Sequence, residues 1–573
     1  MTTYKGIAAS DGIAIASAFR LTEPDLSFKK HSIDDPDREI RRFHDAIDIS
    51  KEELLTIQQR TLEDLGRHEA EVFKAHIAIL SDPELLTRIE TVIRREHVNA
   101  EAALGEVTDS YIKIFNSMTD NDYIRQRSSD INDVTKRVLS HLLGVKLTDP
   151  ALINRRVIII AHDLTPSNTA QFVPNYVKGI VSDMGGRTSH SAIMSRTLEI
   201  PAVVGFKGSL AEIKNGDTVI VDGLTGNVIV NPRQDEIEQY QNKIKKYRNR
   251  KNQLSSFKNQ TTISSDGKHP ILAANIGTPD DLTAAIENGA EGIGLFRTEF
   301  LYMDSDQLPT EDEQFSAYKD VLQKMKGKPV IMRTADIGGD KDLPYLDTPK
   351  EANPFLGYRA IRMSLDRTDI FKVQLRALLR ASAFGDLSVM FPMITTINEL
   401  KRAKNILEQQ RQQLISADVA VGHIKIGIMV EVPAAAILAD QFANEVDFMS
   451  IGTNDLIQYV MAADRGNKRV SYLYQPYNPA VLRLIKSIID ACHENGIPAY
   501  MCGEMAGDQT AIPILFGMGL NEFSMSATSI LKSRALIKGL DSREMVTLAN
   551  RTVSLASTSE QVVHYVHQAL EAE

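Results

Sequence analysis

Between Asp183 and Arg196 the chain reads DMGGRTSHSAIMSR, and His190 within it has the surroundings of a nucleophile. The segment follows a strand-like apolar run, GIVSD, and leads into a stretch able to form a helix. Gly185 and Gly186 let a ligand approach the backbone, Thr188 or Ser189 can cap the helix, and the free N–H groups at its start attract anions. A phosphate carried on His190 would sit in that field. The positive helix end also disfavours imidazolium, leaving a neutral ring nitrogen free to attack phosphorus. Thr169, in DLTPSNTAQ, can orient the ring. The competing reading is one of 13 histidines, merely satisfied at a helix start.

A second set of residues lies in the C-terminal half, at the ends of apolar runs. Glu431 and Asp455 follow the fifth and sixth of these runs, and two carboxylates there can converge on one hard cation. Magnesium suits such a pair, because it takes few carboxylates and keeps water and substrate phosphate oxygens. Arg297 and Arg333 end the second and third runs, and Arg465 follows GTNDLIQYVMAADRG. Guanidinium forks bind carboxylate and phosphate bidentately, so the implied substrate is small and doubly anionic. Asn454 can add a neutral donor or reach a metal-bound water. Cys502, in AYMCGEMA, can protonate the carbon of a bound enolate. Each has a plainer alternative: strand-end carboxylates paired with arginines, an Arg465 on a solvated face, and an inert buried thiol.

The elements that must hold these residues can be read from texture. Eight apolar runs alternate with helical stretches from Pro270 onward: ILAANIGT, GIGLFRTEF, PVIMRTADIGG, LSVMFPMI, IKIGIMVEVP, VDFMSIGTND, AYMCGEMA and EFSMSAT. That pattern predicts a (β/α)8 barrel, whose active site lies at the carboxyl ends of the strands. From Asp35 to about Leu147 the chain is charged, poor in Gly and Pro, and apolar at helical spacing, which predicts an all-α subdomain. Short β-rich runs after Pro150, together with GIAIASAFRL near the start, predict one α/β domain with the helical block inserted. RQDEIEQYQNKIKKYRNRKNQLSSF is a polar helix with little to bury, a linker. The expected domains are therefore 1–34 with 148–232, 35–147, 233–260 and 261–573.

Composition narrows the classes of function. A chain of 573 residues needs several cores, and its 43% hydrophobic and 24% charged residues are those of a folded globular protein. A net charge of -10 argues against nucleic acid as the main partner. Cys492 and Cys502 have neither CxxC nor His spacing, so no zinc site or disulfide is indicated. The N-terminus lacks the pattern of a signal peptide and no run is long enough to cross a bilayer, so the expected location is cytoplasmic, without membrane insertion.

Taken together, GGRTSHSAIMSR, GLFRTEFLYM, MRTADIGGDK, NPFLGYRAIR, IMVEVPAA, FMSIGTNDLIQY and MCGEMA resemble enzyme I of the bacterial phosphoenolpyruvate:sugar phosphotransferase system, in its order and along essentially the whole chain. The resemblance implies that His190 is phosphorylated by phosphoenolpyruvate, releasing pyruvate. It also implies that Arg297, Arg333, Asn454, Asp455 and Arg465 contact the substrate, that Glu431 and Asp455 bind magnesium, and that Cys502 is the proton donor. It further implies that the helical block around Glu69 to Leu80, with His76, docks the phosphocarrier protein HPr, and that the barrel forms a homodimer. Two other chemistries use similar parts. One is an ATP-linked pyruvate, phosphate dikinase or phosphoenolpyruvate synthase, which would need a nucleotide-binding module; the other is a metal-dependent 2-oxo acid lyase. A non-catalytic phosphoenolpyruvate-binding regulator is a third reading, against which the intact catalytic positions speak.

Overall fold

The computed structural model describes all residues except 1, 22–24, 65–66, 118–121, 148–149, 151–152, 154, 165, 170, 187–188, 209, 304, 306, 340–342, 344, 347–350, 466, 468 and 572–573. The chain forms two compact units, Met1–Arg250 and Lys251–Glu573.

The first unit is built on an eight-stranded mixed sheet. Its strands are β1 (Thr2–Lys5), β2 (Ile7–Ser10), β3 (Ile13–Leu21), β4 (Val157–Ala161), β5 (Val177–Ser182), β6 (Ala202–Val204), β7 (Thr218–Asp222) and β8 (Asn227–Val230). They lie in the order β1-β8-β7-β3-β4-β5-β6-β2. The three N-terminal strands thus interleave with strands from the far side of the helical block. β3 pairs in parallel with β4, while β7 pairs antiparallel with β3. VIIIA is apolar throughout because β4 is covered on both faces: Ile159 and Ala161 enter one core, Ile158 and Ile160 the other.

Among the described residues, the stretch between β3 and β4 holds five α-helices, α1 (Pro36–Asp64), α2 (Arg67–Leu80), α3 (Pro83–Glu96), α4 (Ala100–Ser117) and α5 (Asp122–Leu143). They share their own core, with Phe43, Phe73, Ile93 and Val138 at its centre. The break between α2 and α3 falls where Ser81, Asp82 and Pro83 stand. The Asp82 carboxylate accepts the Glu84 N–H at 2.9 Å, and Pro83 takes the first helical position, where no N–H is needed.

A polar helix, Gln234–Ser255, contains the division between the units. The second unit closes eight parallel strands into a barrel: β9 (Ile271–Ile276), β10 (Gly292–Arg297), β11 (Val330–Arg333), β12 (Leu387–Phe391), β13 (Ile424–Val430), β14 (Phe448–Ile451), β15 (Ala499–Met501) and β16 (Glu522–Met525), with β16 pairing to β9. These are the eight runs expected from sequence. Strand alternation decides what faces the interior. Val330 and Met332 of β11 join the outer core under the helices, whereas Ile331 joins an inner cluster with Leu295, Met390, Met429, Phe448 and Cys502. Among the described residues, no helix is long and apolar enough to cross a membrane.

Candidate functional site

The same alternation carries charge into the barrel mouth. Two residues beyond Ile331 on its strand comes Arg333, and two beyond Met429 comes Glu431, each on the inner face. Arg297 ends β10 directly beside Arg333 in the strand register. Cys502 follows β15 on the inner side. Asn454 and Asp455 lie in the first turn of the helix Thr453–Val460, which begins after β14. Gly503 is needed at this junction, because a Cβ there would lie 1.7 Å from Thr453 Oγ1.

Six groups, all buried except the exposed Arg465, form a chain of alternating charge at the mouth. The Arg333 guanidinium donates to Glu299 and lies 3.2 Å from Asp336 Oδ2 through Nη1. Asp336 accepts from Arg359 Nη2 at 3.0 Å, and the same nitrogen donates to Asp455 Oδ2 at 3.0 Å. Asp455 Oδ1 is 3.2 Å from Arg465 Nη1. Arg333, Asp336, Arg359 and Asp455 are all at most 6% exposed. Burial works against both buried guanidinium charges, but the carboxylates around them win. Glu299 and Asp336 raise the pKa of Arg333, and Asp336 and Asp455 that of Arg359.

Two features bear on what the mouth could hold. Arg333 Nε is buried and has no hydrogen-bond acceptor among the described residues, and Arg297 forms no ion pair among them. Glu431 is 2% exposed, accepts the Met393 N–H at 2.7 Å, and makes no ion pair with a described residue. Burial, followed by the nearby Asp455 and Asp336 carboxylates, pushes its pKa up to about 8. A divalent cation against Glu431 and Asp455 would relieve that repulsion, so the donor set fits magnesium. Among the described residues no group of three or more His, Cys, Asp and Glu side chains is placed to hold a metal ion.

Cys502 is 3% exposed, and burial pushes its thiol up to about 11, partly offset by Ser450, Arg333 and Arg297. Asn454 Oδ1 accepts the Glu504 N–H at 3.2 Å, tying the helix start to the loop after β15. Arg465 also lies over the Phe355 ring, 5.7 Å from its centroid.

In the first unit the helix His190–Thr197 follows β5, and Ser189 is its N-cap: its hydroxyl accepts the Ala192 N–H at 3.4 Å. The His190 side chain lies outside the described residues, as do Arg187 and Thr188. Gly185 has φ +108°, a conformation that favours glycine, and Ser189 Oγ would lie 2.9 Å from a Cβ there. The helix is tied to β2 by Arg196 Nη1 donating to the Ala9 carbonyl at 2.8 Å. Thr169 is 1% exposed and closes the single turn Pro166–Thr169, which packs against both this helix and α2. The expected docking block includes His76. It is 2% exposed and its Nε2 is 3.3 Å from Asp130 Oδ1, so it joins α2 to α5 inside the subdomain.

Glu299, Asp336 and Arg359 were not singled out from sequence, although each lies in one of the motifs quoted above. Their signal was a charge embedded in an apolar run, as in RTEF, RTADIGG and GYRAI. Arg359 provides a direct test. An Arg359→Met variant leaves Asp336 and Asp455 buried with less compensation, and unfolding should show a loss of about 3–5 kcal/mol. Arg367→Met, which removes an exposed pair with Asp369, should cost no more than about 1 kcal/mol in the same denaturant titration.

The chain matches three family models: PEP-utilising enzyme, N-terminal, over residues 5–127; PEP-utilising enzyme, mobile domain, over 153–226; and PEP-utilising enzyme, PEP-binding domain, over 251–542. It is 57% identical over 565 residues to a phosphoenolpyruvate-protein phosphotransferase of Listeria monocytogenes, covering 98% of each chain. The chain belongs to the phosphoenolpyruvate-protein phosphotransferase family. The phosphoenolpyruvate-protein phosphotransferase of Bacillus subtilis is 56% identical over 569 residues, covering 99% of this chain and 100% of that one. A solution structure of an enzyme I protein is 41% identical, covering 43% of this chain and 99% of its own, with a TM-score of 0.40. The PEP-utilising enzyme, PEP-binding domain model begins at residue 251, where the second unit begins, and spans all eight barrel strands.

Proposed function

We propose that the chain transfers the phosphoryl group of phosphoenolpyruvate to its own His190, releases pyruvate, and passes the phosphate to a histidine of HPr. This is the first step of a sugar phosphotransferase system. The observation that carries the reading is the alternating charge chain at the barrel mouth, with its unpartnered Arg333 Nε, in a chain of this family.

In the proposed reaction Arg297, Arg333 and Arg465 neutralise the substrate carboxylate and phosphate, and Asn454 and Asp455 help to orient it. Bound magnesium, held by Glu431 and Asp455, would supply positive charge against the phosphate oxygens. Preorganised charge is the main source of rate in a loose phosphoryl-transfer transition state. The neutral imidazole of His190 attacks phosphorus in line, a P–N bond forms, and the P–O bond to the enolate breaks. Thr169 orients the imidazole. Cys502 then gives its proton to the enolate carbon, a role favoured by burial that keeps the thiol protonated at neutral pH.

The nucleophile and the substrate residues belong to different units, so the cycle calls for a change of domain arrangement, with Gln234–Ser255 as the hinge. Residues 1–34 with 148–232 act as the phosphohistidine domain and 35–147 as the HPr-binding subdomain. Residues 233–260 act as the linker, and 261–573 as the catalytic and dimerisation domain. The turn ending at Thr169 touches both α2 and the His190 helix, which favours HPr docking beside α2. The enzyme works in the cytoplasm as a homodimer joined through its barrels. Labelled phosphoenolpyruvate should leave phosphate on the protein, and added HPr should remove it; protein that stays unlabelled in the presence of magnesium overturns this function.

The metal reading has a stability test. The Glu431 pKa is raised in the fold, so between about pH 4.5 and 8 the native state holds a proton that the unfolded chain has lost. Stability contributed this way is present at the acid end and declines as pH rises, by up to about 1.4 kcal/mol per pH unit. The Tm of metal-free protein should therefore fall across that window, and magnesium should restore more of it at about pH 8 than at about pH 5. Glu431→Gln should flatten part of the slope and remove most of the magnesium response, while Glu522, also raised to about 8, sustains the remainder. Equal magnesium effects in wild type and variant would exclude Glu431 as a ligand.

A further inference from the structure

The arginine at the end of the charge chain is held by little of it. Arg465 is exposed, and its single ion pair among the described residues is the 3.2 Å contact with Asp455 Oδ1. Arg359, by contrast, donates through Nε and Nη2 to Asp336 and through Nη2 to Asp455 as well. An exposed arginine on one carboxylate keeps much of its rotamer freedom, which the binding of an anion has to remove. Asp455 is also a proposed metal ligand, and a carboxylate engaged by a cation attracts a guanidinium less.

A half-buried ring stands beside it. Phe355 lies in the turn Pro354–Leu356, with Arg465 Cζ 5.7 Å and Arg359 Cζ 5.8 Å from its centroid, both inside the roughly 6 Å over which a cation is drawn to an aromatic face. Among the described residues Phe355 joins none of the hydrophobic clusters of the second unit, so its ring meets charge rather than core. The turn is fixed from the helix Thr453–Val460, on which Asp455 and Tyr459 stand one turn apart on the same face. The Tyr459 hydroxyl donates to the Phe355 carbonyl and accepts from Arg359 Nη1 at 3.3 Å. One helix face thus sets Asp455 and, through Tyr459, the backbone that carries the ring.

We propose that Phe355 is a positioning residue that holds Arg465 ready for the anionic substrate. The inference rests on the reading of Arg465 as a phosphoenolpyruvate ligand. An aromatic face attracts a guanidinium through its quadrupole and carries no net charge. A second carboxylate in its place would hold the arginine more firmly, but it would repel a substrate that bears both phosphate and carboxylate. The ring orders Arg465 without that repulsion, and less freedom is lost when the substrate arrives. Arg359, gripped by Asp336, Asp455 and Tyr459, depends on the ring least.

The test begins with calorimetry of phosphoenolpyruvate in the presence of magnesium, on the full chain carrying His190→Ala so that no phosphate moves. Phe355→Leu should raise the dissociation constant on the order of fivefold, the scale of one partly exposed cation–π contact. Phe355→Tyr keeps the aromatic face and should stay within about twofold of the parent. With His190 intact and HPr present, kcat/KM for pyruvate release should fall by the same factor in Phe355→Leu. Added to Arg465→Met, Phe355→Leu should lower kcat/KM by less than about twofold more, because its effect passes through that guanidinium. An unchanged dissociation constant in Phe355→Leu, an equal loss in Phe355→Tyr, or a loss as large without Arg465 as with it overturns the proposal. A His190→Ala parent that binds no phosphoenolpyruvate would instead sink the proposed function.

Discussion

Alanine at position 190 should abolish the acid-labile phosphate that phosphoenolpyruvate deposits on the wild-type chain, with no residual labelling above background. The expectation follows from what surrounds the residue. Ser189 caps the helix that His190 begins, the free N–H groups of a helix start favour an anion, and Gly185 holds a left-handed backbone conformation that glycine favours. Removing the imidazole takes away the attacking atom and leaves this anion field in place. Binding of phosphoenolpyruvate should survive, because the residues proposed to hold it lie on the other unit. Calorimetry on His190→Ala should therefore give a wild-type affinity alongside zero labelling. The nearby His162, exposed and 3.2 Å from Asp183 through Nδ1, supplies the control. His162→Ala should label normally. Labelling that persists in His190→Ala and vanishes in His162→Ala would move the nucleophile.

The parts of the site that could be read in advance sit where strand periodicity constrains them. Arg333 and Glu431 follow apolar strands at even spacing from inner-cluster residues, so their inward direction is set by the alternation of the strand. Asp455 falls one step outside that rule, in the helix after β14, and reaches the mouth because that helix starts there. Arg359 and Asp336 obey no period. Asp336 follows β11, and Arg359 precedes Ala360, whose φ of +51° turns the chain ahead of the helix Ile361–Asp366. Whether a loop charge points inward depends on which partner is there to meet it, and that partner is distant in sequence. His76 shows the converse. Its helix was correctly legible as amphipathic, but its burial depends on Asp130 across the bundle.

Alanine at Cys502 should slow turnover by about 100-fold to 10,000-fold, the range for loss of a positioned general acid. Substrate affinity should hold, since the arginines and carboxylates of the charge chain are untouched. The thiol is suited to this step by its place on the inner face, 3% exposed and beside the residues proposed to bind the anion. Burial raises it to about 11, with Arg333 and Arg297 pulling the other way, so it is protonated at neutral pH yet stands where its thiolate is partly compensated. Truncation removes one sulfur atom from a well-packed interior, so the fold should lose far less than in Arg359→Met. Melting curves can separate the two effects. The chemical signature is in the product: phosphoenolpyruvate carrying deuterium at one C3 position, turned over in tritiated water, should give pyruvate with a chiral methyl group in wild type and a racemic one in Cys502→Ala, where the enol is released and protonated by solvent. Cys502→Ser should not restore the rate, because a hydroxyl is a much weaker acid than a thiol. Unchanged turnover in Cys502→Ala removes the acid role.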